Sequence, residues 1–189
     1  MYKLNFESYS KINLGLKVLN KRSDGFHNIN SIFIQTDFSD RLFFEKSNFF
    51  HLSCDNSEVP TDITNTITRA YQILNQQFKF KNHYKIHLNK NIPIGSGLGG
   101  GSSNAACTLL SLTNLLNLNI SSKNLYKIAL DIGSDVPFFL NGGIKFIEGR
   151  GEIIKSFKSI WMIFTQNFFF KFQCFSENFK RIFLFILDN

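Results

Sequence analysis

At 189 residues and 21.8 kDa the chain has room for one domain, or for one domain and part of a second. With 43% apolar and 19% charged residues it can bury a core, which excludes wholesale disorder. Its 21 basic and 14 acidic residues leave a formal charge of +7, suited to an anionic partner but scattered enough to describe a mildly basic solvated surface.

Leu4 and Phe6 alternate with polar neighbours, and Ile12, Leu14, Leu16 and Val18 continue at period two, the pattern of a half-buried strand. Lys11 and Asn13 then share its opposite face. Lys21–Gly25 is turn chemistry, followed by Phe26 and His27. Ile32 and Ile34, then Leu42 and Phe44, then 49–53 predict further strands of an antiparallel sheet. Pro60-Thr61-Asp62 opens a helix from about Asn65, with Ile67, Ala70, Tyr71, Leu74 and Phe78 on one stripe that reads as core packing. Tyr84, Ile86 and Leu88 alternate in a strand that runs into a glycine-rich loop. Ala105, Ala106, Leu109, Leu112 and Leu116 mark the helix that follows it. A second helix is expected near Ser122–Leu130, capped by Ser121 or Ser122. Asp131–Leu140 reads as helix end, tight turn and short new element. Gly142-Gly143 turns into a strand at Ile144–Ile147, and a hairpin through Gly149-Arg150-Gly151 returns along Glu152–Ile154.

Cys54, Cys107 and Cys174 form no CxxC, so neither a disulfide framework nor a metal site is indicated, and the thiols fit a reducing compartment. No stretch reaches the ~18 apolar residues of a membrane span, and the first residues lack the apolar core of a signal peptide. The expected location is cytoplasmic, in a bacterium or the interior of a plastid-type organelle. His51, His83 and His87 show no ligand spacing. The 23 Phe, with abundant Asn, Ile and Lys, reflect AT-rich codons, so a single Phe argues little about function.

Five glycines (Gly95, Gly97, Gly99, Gly100, Gly101) fall within seven residues and open a helix. Glycine lets main-chain amides turn onto a ligand, and a helix N-terminus adds unpaired donors and partial positive charge. Ser96, Ser102 and Ser103 add hydroxyls for phosphate or a bound Mg²⁺. The loop is a phosphate cradle, bounded too tightly by strand and helix to be a linker. Gly95-x-Gly97-x-x-Gly100 formally fits a dinucleotide fingerprint, but no acidic residue stands between the loop and Asp131. A Gly-Lys-Ser/Thr of the Walker type is absent too.

Four ordered blocks carry a resemblance: Ser10-Lys-Ile-Asn-Leu14, Asp24-Gly-Phe-His27, Pro93–Ala106, and Gly133-Ser-Asp-Val-Pro-Phe138. The chain resembles the GHMP small-molecule kinases. The resemblance implies an α+β fold: an antiparallel or mixed sheet with packed helices, and a glycine-rich loop opening one of them. It divides the chain into an ATP-binding amino-terminal domain, 1–157, and a remainder, 158–189. The implied reaction is ATP- and Mg²⁺-dependent phosphorylation of the 2-hydroxyl of 4-diphosphocytidyl-2-C-methyl-D-erythritol, in non-mevalonate isoprenoid precursor biosynthesis. Pro93, Ile94, Gly95, Ser96, Gly97, Leu98, Gly99, Gly100, Gly101, Ser102 and Ser103 would wrap the ATP phosphates, with Asn65 near the adenine. Asp135 would orient or deprotonate the attacking hydroxyl, with Lys11 beside it keeping the carboxylate ionised. Asn13, Phe26 and His27 would hold the substrate, the last two at the cytosine. Relatives carry Tyr where this chain has Phe26, so stacking survives and the phenol hydrogen bond is lost. Alone, Lys11 reads as surface charge and Asp135 as a helix cap; four blocks in order make both catalytic candidates.

From about Phe157 the chain changes character. Nine of the 32 residues from Lys158 are Phe, turn signals vanish, and Thr165-Gln-Asn-Phe-Phe-Phe170 stands where the family has a Pro-Gly turn. That segment reads as the start of a second domain or a degenerate tail, so a truncated product is expected. The alternatives are a related kinase with another substrate and an inactive remnant that at most binds nucleotide. A nucleic-acid binder is disfavoured, because no face interleaves aromatic and basic residues. No membrane partner is expected, and oligomeric state is not readable.

Overall fold

The computed structural model describes residues 4–149 and 151–156. The segment 158–189 lies outside them.

The chain order is β1 (Leu4–Lys21), β2 (His27–Ser47), β3 (His51–Cys54), α1 (Thr66–Phe78), β4 (His83–Asn89), α2 (Gly100–Leu115), α3 (Ser122–Ile132), α4 (Val136–Phe139), β5 (Ile144–Gly149) and β6 (Ile153–Ser156). One mixed six-stranded sheet runs β3-β4-β2-β5-β6, with β1 paired to β2. β2 is the spine. β1 pairs along nearly its whole length, while β4 takes residues 41–47 and β5 residues 29–34. The two expected strands around Ile32 and Leu42 are thus one, carried through an irregularity where Thr36, Asp37 and Phe38 stand against Ser10.

The expectation of further antiparallel pairing needs one correction, because β3 and β4 are parallel. The reason lies in the connection: helix α1 separates them, and a helical crossover is how adjacent strands come to run the same way. In β4, Tyr84, Ile86 and Leu88 are buried while Lys85 is exposed, as the alternation predicts. Their inward face meets Ile67, Ala70, Tyr71 and Leu74 of α1 and Ala105, Ala106, Leu109 and Leu112 of α2 in the main core. Asn65 caps α1, its Oδ1 accepting the Ile67 N–H at 2.8 Å, and Ser121 caps α3. A smaller cluster of Phe33, Phe138 and Ile147 anchors α4 to the other end of the sheet.

The unbroken period-two face of β1 is the second correction. The pairing with β2 shifts between Tyr9 and Lys11 and again between Asn13 and Leu16, where Gly15 adopts φ +82°. The first shift sets three β2 residues against Ser10 alone, and the second is a slip of one residue, which sends the following side chains to the other face. Ser8 reaches α2, and after the first shift Lys11 does so too. After the second shift Leu16 and Val18 stand opposite Ser31 and Ile29, on the face of Asn13 and Phe33, and both are more than half exposed rather than buried.

Candidate active site

Three segments build the site: the loop between β4 and α2, the middle of β1, and the turn between α3 and α4. The loop borders a cleft of about 400 Å³ lined by Val59, Pro60, Asn65, Thr66, Lys90 and residues of 93–102. Thr66 Oγ1 donates to the Gly101 carbonyl at 2.7 Å, pinning the α2 start to the α1 start. Gly95 and Gly97 take positive φ, and a Cβ on either would meet no atom within 4 Å, so both face open space. Gly99 differs. At φ +74° its Cβ would fall 2.8 Å from Phe139 Cζ and 3.2 Å from Lys11 Cγ. The missing side chain of this glycine leaves room for the Phe139 ring and the Lys11 stem.

Lys11 is held from both ends. Its backbone N–H donates to the Leu98 carbonyl at 2.9 Å, so the loop covers the edge of β1 that β2 leaves unpaired. Its ammonium donates to Asn13 Oδ1 at 2.7 Å, lies 3.8 Å from Asp135 Oδ2, and sits 4.6 Å from the centroid of the Phe33 ring. Burial pulls the ammonium below the ordinary lysine value, and the Asp135 charge opposes that pull. Asp135 precedes the Pro-containing start of α4 yet makes no capping bond to it. Its side chain is one-third exposed. The carboxylate is therefore available to something arriving from solvent, with the cation behind it.

The loop serines divide. Ser102 lines the cleft. Ser103 is buried, its hydroxyl 2.8 Å from Ser8 Oγ, so it is turned from the cleft toward β1. Ser96 donates to the Pro93 carbonyl at 2.8 Å, which commits its proton to shaping the loop. Pro93 and the exposed Ile94 border the cleft, and Leu98 contributes its carbonyl to Lys11. Asn65 borders the cleft too, but its amide is spent on α1 and, through Nδ2, on the Pro60 carbonyl at 2.6 Å. Lys11, Asn13, Leu98, Gly99 and Asp135 are thus brought together. Phe26 and His27 are exposed at the tip of the β1–β2 hairpin, where the Phe26 carbonyl accepts the Arg22 N–H at 2.7 Å.

Sequence reasoning missed Asp40 and Lys90. Asp40 is fully buried, and Lys90 Nζ lies 2.6 Å from its Oδ2. An acidic residue inside a strand-forming run was the available signal, but its partner stands 50 positions away. Among the described residues no three His, Cys, Asp or Glu converge as a metal cage.

Residues 65–143 match the family described as the GHMP kinases N terminal domain. The 4-diphosphocytidyl-2-C-methyl-D-erythritol kinase of Caldanaerobacter subterraneus subsp. tengcongensis is 42% identical over 158 residues, 84% of this chain and 55% of that protein. The Prochlorococcus marinus (strain AS9601) protein of the same name is 43% identical over 159 residues, 83% of this chain and 51% of that protein. A crystal structure of 4-(cytidine 5'-diphospho)-2C-methyl-D-erythritol kinase superposes with a TM-score of 0.72 at 35% identity, over 82% of this chain and 55% of that one. The chain spans about half the length of the curated relatives it matches. The matched family, the relatives and the shared fold agree: the chain carries the amino-terminal domain of the GHMP kinases and belongs to that family.

Proposed function

We propose that the protein is an ATP-dependent kinase that phosphorylates the 2-hydroxyl of 4-diphosphocytidyl-2-C-methyl-D-erythritol in isoprenoid precursor biosynthesis. The observation that carries this reading is the buried Lys11 ammonium 3.8 Å from the part-exposed Asp135 carboxylate, beside the glycine loop. Relatives named for that kinase support the choice of substrate.

The main-chain amides of 95–102 and the α2 start bind the triphosphate of ATP, and Ser102 offers a hydroxyl from the same rim. A divalent ion fits as a phosphate-borne Mg²⁺: Ser102 on the cleft rim would offer it an oxygen, and among the described residues no three His, Cys, Asp or Glu converge to cage it. Its chemistry would be neutralisation of phosphate charge. Asp135 orients the acceptor hydroxyl and takes its proton as the new O–P bond forms and the bond to the ADP oxygen breaks. Lys11 sets its cation 3.8 Å from Asp135 and meets the charge on the moving phosphoryl group. Asn13 holds Lys11 on its line. Phe26 stacks on the cytosine and His27 hydrogen-bonds it. The hairpin tip is roughly 26 Å along β1 from Asn13, which suits a long acceptor rather than a small alcohol. Leu16 and Val18, exposed on the face of Asn13, give that path an apolar wall.

On the same reading residues 1–157 are the ATP-binding domain, the location is cytoplasmic, and the partners are small molecules rather than nucleic acid. No helix among the described residues is long and apolar enough to cross a membrane. The test is titration calorimetry of the full chain with Mg·ADP and with a cytidine-diphosphate alcohol, followed by phosphorus NMR of the reaction. Binding of both and a new phosphomonoester signal are expected. Nucleotide binding without turnover identifies a nucleotide-binding remnant, and no nucleotide binding overturns the reading.

A further inference from the structure

The strand that delivers the glycine loop leaves the sheet at Asn89, and Pro93 has no N–H. The three amides between them need acceptors, because a buried unpartnered N–H is costly. Two carboxylates supply all three. Asp55 Oδ1 accepts the Lys90 N–H at 2.9 Å, and Asp40 Oδ1 accepts those of Asn91 and Ile92, each at 2.7 Å. The other Asp40 oxygen receives the Lys90 ammonium at 2.6 Å, and that ammonium also donates to the Ile92 carbonyl at 2.5 Å. Asn91 Nδ2 closes the set on the Ser39 carbonyl at 2.9 Å.

The partner of Asp40 across the β1–β2 ladder is Ser8. Ser8 is also buried, and its hydroxyl reaches Ser103 Oγ at 2.8 Å and Asn104 Oδ1 at 3.1 Å, in the first turn of α2. One rung of the ladder therefore grips both ends of the glycine loop, Asp40 where it enters and Ser8 where it leaves. Between those clamps Gly95 and Gly97 touch nothing on their Cβ side.

We propose that the Ser8–Asp40 rung is a positioning device for the nucleotide site, fixing the span of the glycine loop so that its amides are preset for a polyphosphate. Neither residue touches the ligand; each acts through the segment it holds. The ordering of the loop is then completed during folding rather than during binding. The inference rests on the nucleotide-binding reading above and names two residues that reading does not use.

The test is Mg·ADP calorimetry on the full chain, with thermal melts alongside. Asp40→Asn keeps an acceptor for the two amides but turns an NH₂ group onto Lys90, and Ser8→Ala frees the helix end. Each is expected to weaken ADP by roughly tenfold or more, since charged or buried hydrogen bonds are at stake. Binding of a cytidine-diphosphate alcohol should be unmoved. Asp40→Asn/Lys90→Met removes the stranded cation, so it should regain melting temperature without regaining ADP affinity. Leu74→Ala, a core change away from the loop, should lose stability and keep ADP affinity. If Asp40→Asn does not fold, Ser8→Ala decides alone. Folded variants that bind ADP within twofold of the parent overturn the inference while leaving the kinase reading intact. A parent chain that binds no ADP sinks both.

Discussion

Replacing Gly99 with alanine separates two roles that glycines play in one loop. The substitution places a side chain at φ +74°, which costs about 1–2 kcal/mol in the left-handed region. The new methyl would then lie 2.8 and 3.1 Å from Phe139 ring carbons and 3.2 Å from Lys11 Cγ. Relieving that crowding adds about 1–3 kcal/mol, as in other overpacked sites. Gly99→Ala should therefore lose about 2–5 kcal/mol in urea unfolding. Gly97→Ala has a similar φ of +77° but no neighbour within 4 Å, so it should lose only the backbone share, about 1–2 kcal/mol. Function should divide the opposite way. Gly97→Ala puts a methyl into the open side of the cleft and raises KM for ATP. Gly99→Ala shifts the lysine stem, moves the ammonium against Asp135, and lowers kcat by roughly tenfold to a hundredfold. Urea melts and steady-state kinetics on the two variants are sufficient. Equal midpoints, with kcat of Gly99→Ala at the parental value, would show that the lysine does not rest on this glycine.

Asp135→Ala should lower kcat by roughly 10²–10⁴ with ADP affinity intact, the usual worth of a general base; unaltered turnover removes Asp135 from the mechanism. Because burial lowers the Lys11 ammonium below 10.5, activity that needs the cation should fade on the alkaline side before an ordinary lysine would titrate. Stability carries the same signature. Between the folded value and 10.5 the unfolded chain binds more protons, so stability relative to Lys11→Met should rise as pH climbs through that window. A flat difference in urea melts across it contradicts the burial argument. The Cys107 thiol, pushed up to about 11 by burial against an ordinary 9.0, should be alkylated about a hundredfold more slowly in the native chain than in urea. Peptide mapping after timed iodoacetamide treatment reads this, and equal rates would place the thiol in solvent.

The alternation of Tyr84, Ile86 and Leu88, the stripe from Ile67 to Leu74 and the glycine run at 95–101 are local patterns, each set by neighbours a few positions away. That is why strand, loop and helix were legible there in order. The ordered blocks also named Lys11 and Asp135, and the structure places their side chains 3.8 Å apart. What the one-dimensional pattern carries poorly is an interruption whose cause lies on another strand. The register shifts in β1 exist only in its pairing with β2, and the single-residue shift at Gly15 is what puts Leu16 and Val18 on the exposed face of Asn13.

By itself the sequence determined which segments become strands and helices, and where a polyanion could meet backbone amides, because propensity, periodicity and glycine content act over short range. Tertiary structure alone decided that β3 runs parallel to β4, that Gly99 packs against Phe139 and the Lys11 stem, that Ser103 turns inward, and that Asp40 answers amides 51 and 52 positions away. Each of these is a contact between groups far apart in the chain. Burial makes such contacts obligatory, since a carboxylate or an amide removed from water must find its partner wherever the fold provides one.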